Sequence, residues 1–172
     1  MRLLALVAAL LLAPTVAASP PRPPQVVEVA VGHDVAKGFV AADGRVVTVA
    51  HVLGGDTVAV DGRPASVVRV DRRLDLAVLR VGGIEGEARF GGGSGTTVLG
   101  RPAPVVRHID ARVDGSAPRP ALELRADVET GDSGAPVITA SGRVAGIVFA
   151  RSRTRARTAY AVDGTAVARL ID

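Results

Sequence analysis

Three residue types suited to nucleophilic chemistry stand in three separate blocks of the sequence. Ser133 lies in VETGDSGAPVI (Val128–Ile138), a run of small and turn-forming residues that would hold a side chain out on a tight turn. A serine hydroxyl is a weak nucleophile until a base takes its proton, and that base needs a third group to fix its tautomer. His51 closes the apolar run VVTVAHVLGG, where a turn would present the ring at the end of a strand. Asp75 in DRRLDLAVLRV opens another apolar run, so its carboxylate would be partly desolvated and aimed inward. Asp71, four residues earlier, is the rival acid, but no apolar strand follows it at once. The order along the chain is His51, Asp75, Ser133.

Taken alone, GDSG is a common turn sequence, and a histidine beside a valine-rich strand is more often a surface or structural residue. A phosphate-binding loop is excluded, because no GK[ST] ending and no helical pattern follow Ser133. The three histidines, His33, His51 and His108, have no ligand-pair spacing and no cysteine to assist them, so neither a metal nor another cofactor is expected. His33 and His108 read as surface residues.

The elements that must position these side chains are short, valine-rich and separated by Gly, Asp and Pro. Strands are predicted near Val26–Val31, Phe39–Ala41, Val46–Ala50, Thr57–Val60, Ala65–Val70 and Leu76–Val81. A second group of six follows near Thr97–Leu99, Val105–Val113, Leu122–Ala126, Pro136–Thr139, Val144–Phe149 and Thr158–Val162. ADGR, DGRP and SGR supply hairpin turns, and the glycine-rich segment 82–96 links the groups. Only residues 164–171 look helical, with Asp163 as the cap. The pattern predicts an all-β barrel or sandwich; no helices separate the strands as a parallel α/β fold would require.

At the N-terminus, Arg2, the apolar run Leu3–Ala13 and the small residues Val16, Ala17 and Ala18 read as a secretory signal peptide, residues 1–18, cut after Ala18. The apolar run falls short of the roughly 18 residues of a membrane span, so no stable membrane insertion is expected. The expected location is therefore secreted, periplasmic or cell-envelope. A proline-rich lead (19–24) precedes one domain over 25–172. Cysteine is absent, so stability must come from an apolar core. Aromatics at 2% and a net charge of +4 do not call for a nucleic-acid partner.

The blocks GFVAADGRVVTVAHVL, LDLAVLRV and GDSGAPVI, with GRVAGIVFA and TAYAV after them, resemble the trypsin-like serine proteases. The likeness is greatest to the bacterial HtrA-like and actinobacterial periplasmic groups. It covers roughly 31–167. It implies two six-stranded antiparallel barrels, the first over about 25–81 and the second over about 97–163, with the active site between them. It implies an exported serine endopeptidase acting on polypeptide substrates, with Ser133 as nucleophile, His51 as general base and then acid, and Asp75 orienting His51. The amides of Gly131 and Ser133 would form the oxyanion hole. Asp127, six before Ser133, matches the trypsin specificity position, and Phe149, Ala150 and Arg151 would line the substrate cleft.

Some features depart from the pattern. Ala135 replaces the usual glycine, and its methyl would either narrow the turn or crowd the substrate strand and so lower turnover, which leaves a proteolytically silent peptide- or envelope-binding module as the alternative. Asp132 matches the acid that pairs with a freshly cut N-terminal amine in zymogen relatives, yet no activation-type start is present upstream. It therefore needs another partner. RSRTRAR would place Arg151, Arg153, Arg155 and Arg157 on one side of an extended segment, either as solvated charge or as a preference for acidic substrates.

Overall fold

The computed structural model describes residues 22–55, 57–112 and 117–171. The signal-peptide segment 1–18 and the first part of the proline-rich lead lie outside the described residues. Strands β1 (Val26–Val31), β2 (Asp34–Ala42), β3 (Arg45–Val49), β4 (Val58–Val60), β5 (Arg63–Asp71) and β6 (Leu76–Val81) close into a barrel of order β1-β2-β3-β6-β5-β4. Alternation along β1 sends Val27, Val29 and Val31 inward, while β6 is buried almost throughout because it is flanked by core on both faces. β2 begins five residues before the predicted Phe39. Its first half, DVAKG, lacks an apolar pattern and is extended because it pairs with β1, Val31 opposite Asp34 through Val27 opposite Gly38.

The second unit is a seven-stranded antiparallel sheet of order β8-β7-β11-β12-β13-β10-β9. Its strands are β7 (Thr97–Val98), β8 (Arg101–Pro102), β9 (Val105–Ala111), β10 (Arg119–Arg125), β11 (Pro136–Ile138), β12 (Val144–Arg151) and β13 (Thr158–Asp163). The seventh strand arises where a single strand was expected at Thr97–Leu99. Leu99 and Gly100 both take positive φ, 49° and 77°, and this two-residue turn folds β8 back on β7.

Helix α1 (Gly164–Ile171) follows β13, and Asp163 caps it by accepting the Thr165 N–H at 2.8 Å. Its last carbonyls receive the guanidinium groups of Arg45 on Ile171 (2.9 Å) and Arg69 on Leu170 (2.5 Å), both from the first barrel. One apolar cluster joins Phe39, Val49 and Leu76 of the barrel to Ile147 and Phe149 of β12 and to Val167 and Leu170 of α1. The two units therefore share core, and the segments bearing His51, Asp75 and Ser133 meet at their junction.

Candidate active site

Strands β3 and β6 are antiparallel neighbours whose last pair is Val49 opposite Leu76. His51 lies two residues past that pair and Asp75 one residue before it, so the ladder brings both to one barrel end. The pairing extends one step further, the Ala50 N–H donating to the Asp75 carbonyl at 3.0 Å. Asp75 then clasps His51 twice: Oδ1 accepts the His51 backbone N–H at 2.8 Å, and Oδ2 lies 2.7 Å from Nδ1. Asp75 adopts a left-handed conformation at φ 60°, uncommon for a residue other than glycine, and this turns its carboxylate back over the strand end. Asp71 is engaged differently, accepting the Leu74 N–H at 2.9 Å within its own turn.

A buried arginine stands behind Asp75. Arg119, at the start of β10, is 4% exposed, with Nη1 at 3.5 Å from Asp75 Oδ2 and 3.3 Å from the Leu74 carbonyl. Its guanidinium lies 4.9 Å from the centre of the Phe149 ring. The sequence gives no warning of Arg119, because an arginine opening a strand reads as a surface residue until tertiary packing covers it.

Ser133 sits in the turn between β10 and β11, pinned to the first barrel by the Lys37 N–H, which donates to the Ser133 carbonyl at 2.8 Å. Gly134 donates to the Val148 carbonyl at 2.7 Å and has φ 89°. A Cβ there would fall 1.8 Å from the Lys37 carbonyl oxygen and 2.8 Å from Thr48 Oγ1, so no side chain fits. This close approach seats the serine turn against Lys37 and Thr48, the latter three residues before His51. Between Ser133 and His51 themselves no hydrogen bond forms among the described residues. Gly131 also has positive φ, 95°, and neither its N–H nor that of Ser133 is engaged by the described residues. Ala135 is fully buried, its methyl packed with Val98, Ala126, Val137 and Val148. The extra methyl therefore fills core in the second sheet.

Asp132 finds its partner in Arg101, on β8. Arg101 Nη2 donates to Asp132 Oδ2 at 2.5 Å, and the same oxygen accepts the Glu129 N–H at 3.0 Å. Nothing in the sequence points to Arg101, because its approach depends on the unforeseen β7–β8 hairpin.

A cleft of about 560 Å³ opens beside His51 and Asp75, walled by Phe149, Ala150 and Arg151 at the end of β12. β12 pairs with β11 as far as Ile147, and the Val148 N–H and carbonyl still bond the Ala135 carbonyl at 2.9 Å and the Gly134 N–H at 2.7 Å; from Phe149 onward, among the described residues, β12 keeps β13 on one edge alone. Asp127 is elsewhere: it lines a neighbouring cavity of about 370 Å³ and is paired with Arg157 at 3.2 Å. Arg155 forks onto Glu123 at 3.1 and 2.9 Å, fastening the loop after β12 to β10. Glu123 is held below the ordinary carboxylate range by those hydrogen bonds from Arg155, and next by Arg107.

The trypsin-like peptidase domain family matches residues 36–147, about two-thirds of the chain. The chain belongs to the trypsin-like peptidases. The serine protease Rv3671c of Mycobacterium tuberculosis is 31% identical over 157 residues, a match covering 76% of this chain and 40% of that protein. The chain thus spans about two-fifths of its curated relative. The crystal structure of the active form of the Rv3671c protease superposes with a TM-score of 0.75 at 27% identity, covering 97% of this chain and 93% of that one. The HtrA-type protease AlgW shares the fold at 18% identity, with a TM-score of 0.73 over 87% of this chain and 60% of its own. Among the described residues of this trypsin-like peptidase, no helix is long and apolar enough to cross a membrane.

Proposed function

We propose that this trypsin-like peptidase is an exported serine endopeptidase that cleaves polypeptides through Ser133, His51 and Asp75. The observation that carries the reading is the double clasp of Asp75 on His51 at the wall of the cleft, in a chain whose Ser133 turn is bonded through its carbonyl to Lys37 of the same barrel. With Nδ1–H directed at Asp75, His51 keeps Nε2 free to accept the Ser133 proton as Oγ attacks the scissile carbonyl. The tetrahedral oxyanion is received by the Gly131 and Ser133 amides. His51 then passes the proton to the leaving amine, and water, activated by the same ring, releases the acyl group from Ser133 Oγ. Arg119 holds Asp75 from behind and offsets its charge where water is largely excluded. The open edge of β12 from Phe149 to Arg151 receives the substrate as an added extended strand. A peptide-library digest tests the reading: the wild-type protein should cut and Ser133→Ala should not, and equal cleavage by both would count against it.

In the same reading, Arg101 replaces the chain-terminal amine as the partner of Asp132, so the oxyanion turn is formed without an activation cut. Arg101→Met should lower kcat by about 100-fold, the loss typical of one oxyanion donor, while far-ultraviolet circular dichroism stays unchanged. Full activity in that variant would show that Asp132 is held in some other way.

Export rests on Arg2 and the apolar run that follows it. Mass spectrometry of the protein recovered outside the cytoplasm should give a first residue of Ser19, and an intact Met1 in that fraction would contradict a cleaved signal.

A further inference from the structure

The cleft beside His51 carries an unusual balance of charge. Arg72 enters it from the turn between β5 and β6, Arg151 and Arg153 from the end of β12 and the loop after it, and Arg119 from β10. Among the described residues Asp75 is the one acid on these walls, and it is already bonded to His51 and paired with Arg119. The RSRTRAR run is divided by the fold. Arg155 and Arg157 are neutralised by Glu123 and Asp127, whereas the side chains of Arg151 and Arg153 stay on the cleft side with no hydrogen bond or ion pair to any described residue. Arg72, from the other barrel, is likewise unengaged. Three solvated guanidinium groups therefore surround the approach to His51 from two walls, next to the open edge of β12.

Cations gathered around a concave, low-dielectric wall focus a positive potential that raises the local concentration of anions. A peptide lying along Phe149–Arg151 would pass its side chains between Arg72 and the Arg151–Arg153 segment. We infer that this cleft selects polypeptides carrying Asp or Glu in the residues just before the scissile bond, with Arg72, Arg151 and Arg153 as the specificity-determining side chains. The inference rests on the reading that peptides are hydrolysed at Ser133. Guanidinium groups suit carboxylates because their paired N–H donors match the two oxygens. Exposed pairs of this kind are individually weak, so each contact should favour the acidic peptide by about 1.4- to 5-fold, and two together by about 2- to 25-fold. Screening shrinks this: the Debye length falls from about 10 Å at 0.1 M salt to about 3 Å at 1 M.

Quenched fluorescent peptides that differ only by Asp against Asn, or Glu against Gln, before the cleaved bond provide the test. Their kcat/KM would be measured at low and high salt for the wild type, for the triple variant Arg72→Ser, Arg151→Ser, Arg153→Ser, and for Arg157→Ser. Binding of the same peptides to Ser133→Ala would be followed by fluorescence anisotropy. The wild type and Arg157→Ser should prefer the acidic peptides by the stated factor, lose most of that preference at high salt, and keep it in the binding assay; the triple variant should show none. Equal handling of acidic and neutral peptides by the wild type in turnover and by Ser133→Ala in binding overturns the inference and leaves hydrolysis standing. Tighter, salt-sensitive binding of acidic peptides by Ser133→Ala, with a wild-type protein that cleaves nothing, supports the inference and removes hydrolysis. The salt response of the wild type reads the effect independently of how well the triple variant folds.

Discussion

Ser133→Ala and His51→Ala should each reduce peptide turnover by about a million-fold, with the thermal transition of the protein little changed. Either loss alone should be nearly complete, because nucleophile and base act as one unit: without Nε2 the hydroxyl keeps its proton, and without the hydroxyl the base has nothing to activate. The double variant should be no worse than either single one. The fold should survive both changes. Ser133 is tied to the barrel through its backbone carbonyl, which alanine retains, and the His51 backbone N–H still reaches Asp75 Oδ1 whatever the side chain. Comparing kcat for the three variants on one peptide checks the non-additivity, and wild-type-like turnover in either single variant would remove the mechanism.

Asp75→Asn should lower kcat by about ten-thousand-fold with KM little altered. An amide can keep one hydrogen bond to the His51 backbone, so the turn should hold. At Nδ1 the amide NH₂ is a donor, and it would stabilise the tautomer that puts the proton on Nε2, where the base must be free. Arg119 makes the change more severe, since its buried guanidinium would lose the carboxylate it faces at 3.5 Å. Asp71→Asn is the control: its Leu74 contact is with a side-chain oxygen that asparagine also offers, so turnover should stay close to wild type. A large loss at Asp71 with activity kept at Asp75→Asn would move the acid by four residues.

Much of this geometry is legible in local pattern. β1 and β6 have the predicted bounds, because alternation in VVEVAV and the apolar run LAVLRV are strong local signals, and the helix over 164–171 follows its apolar face and its Asp163 cap. The sequence also leads to His51 and Asp75 as neighbours, since an apolar strand ending in one and another beginning with the other must meet if the two pair antiparallel. The missing parts depend on contacts distant in the chain. β2 extends over DVAKG only because β1 supplies its hydrogen bonds, and the β7–β8 hairpin depends on a positive φ at Leu99, which a leucine does not advertise. Arg101 and Arg119 escaped notice for the same reason: an arginine beside a strand carries no local mark of whether an acid will face it. Ala135 is buried in the core of the second sheet, a placement that only the folded sheet reveals. The four arginines of RSRTRAR could not be sorted from sequence, because their partners, Glu123 and Asp127, lie on segments that only the folded sheet brings beside them.

The central claim, that Ser133 is a nucleophile activated by His51, is tested most directly with a fluorophosphonate that phosphonylates only activated serines. Intact-mass and peptide-mapping spectrometry of the treated protein should show one adduct, located on Ser133, formed rapidly in the wild type and absent in both Ser133→Ala and His51→Ala. An unlabelled wild-type protein, or labelling of Ser133 that proceeds equally fast in His51→Ala, would contradict the account.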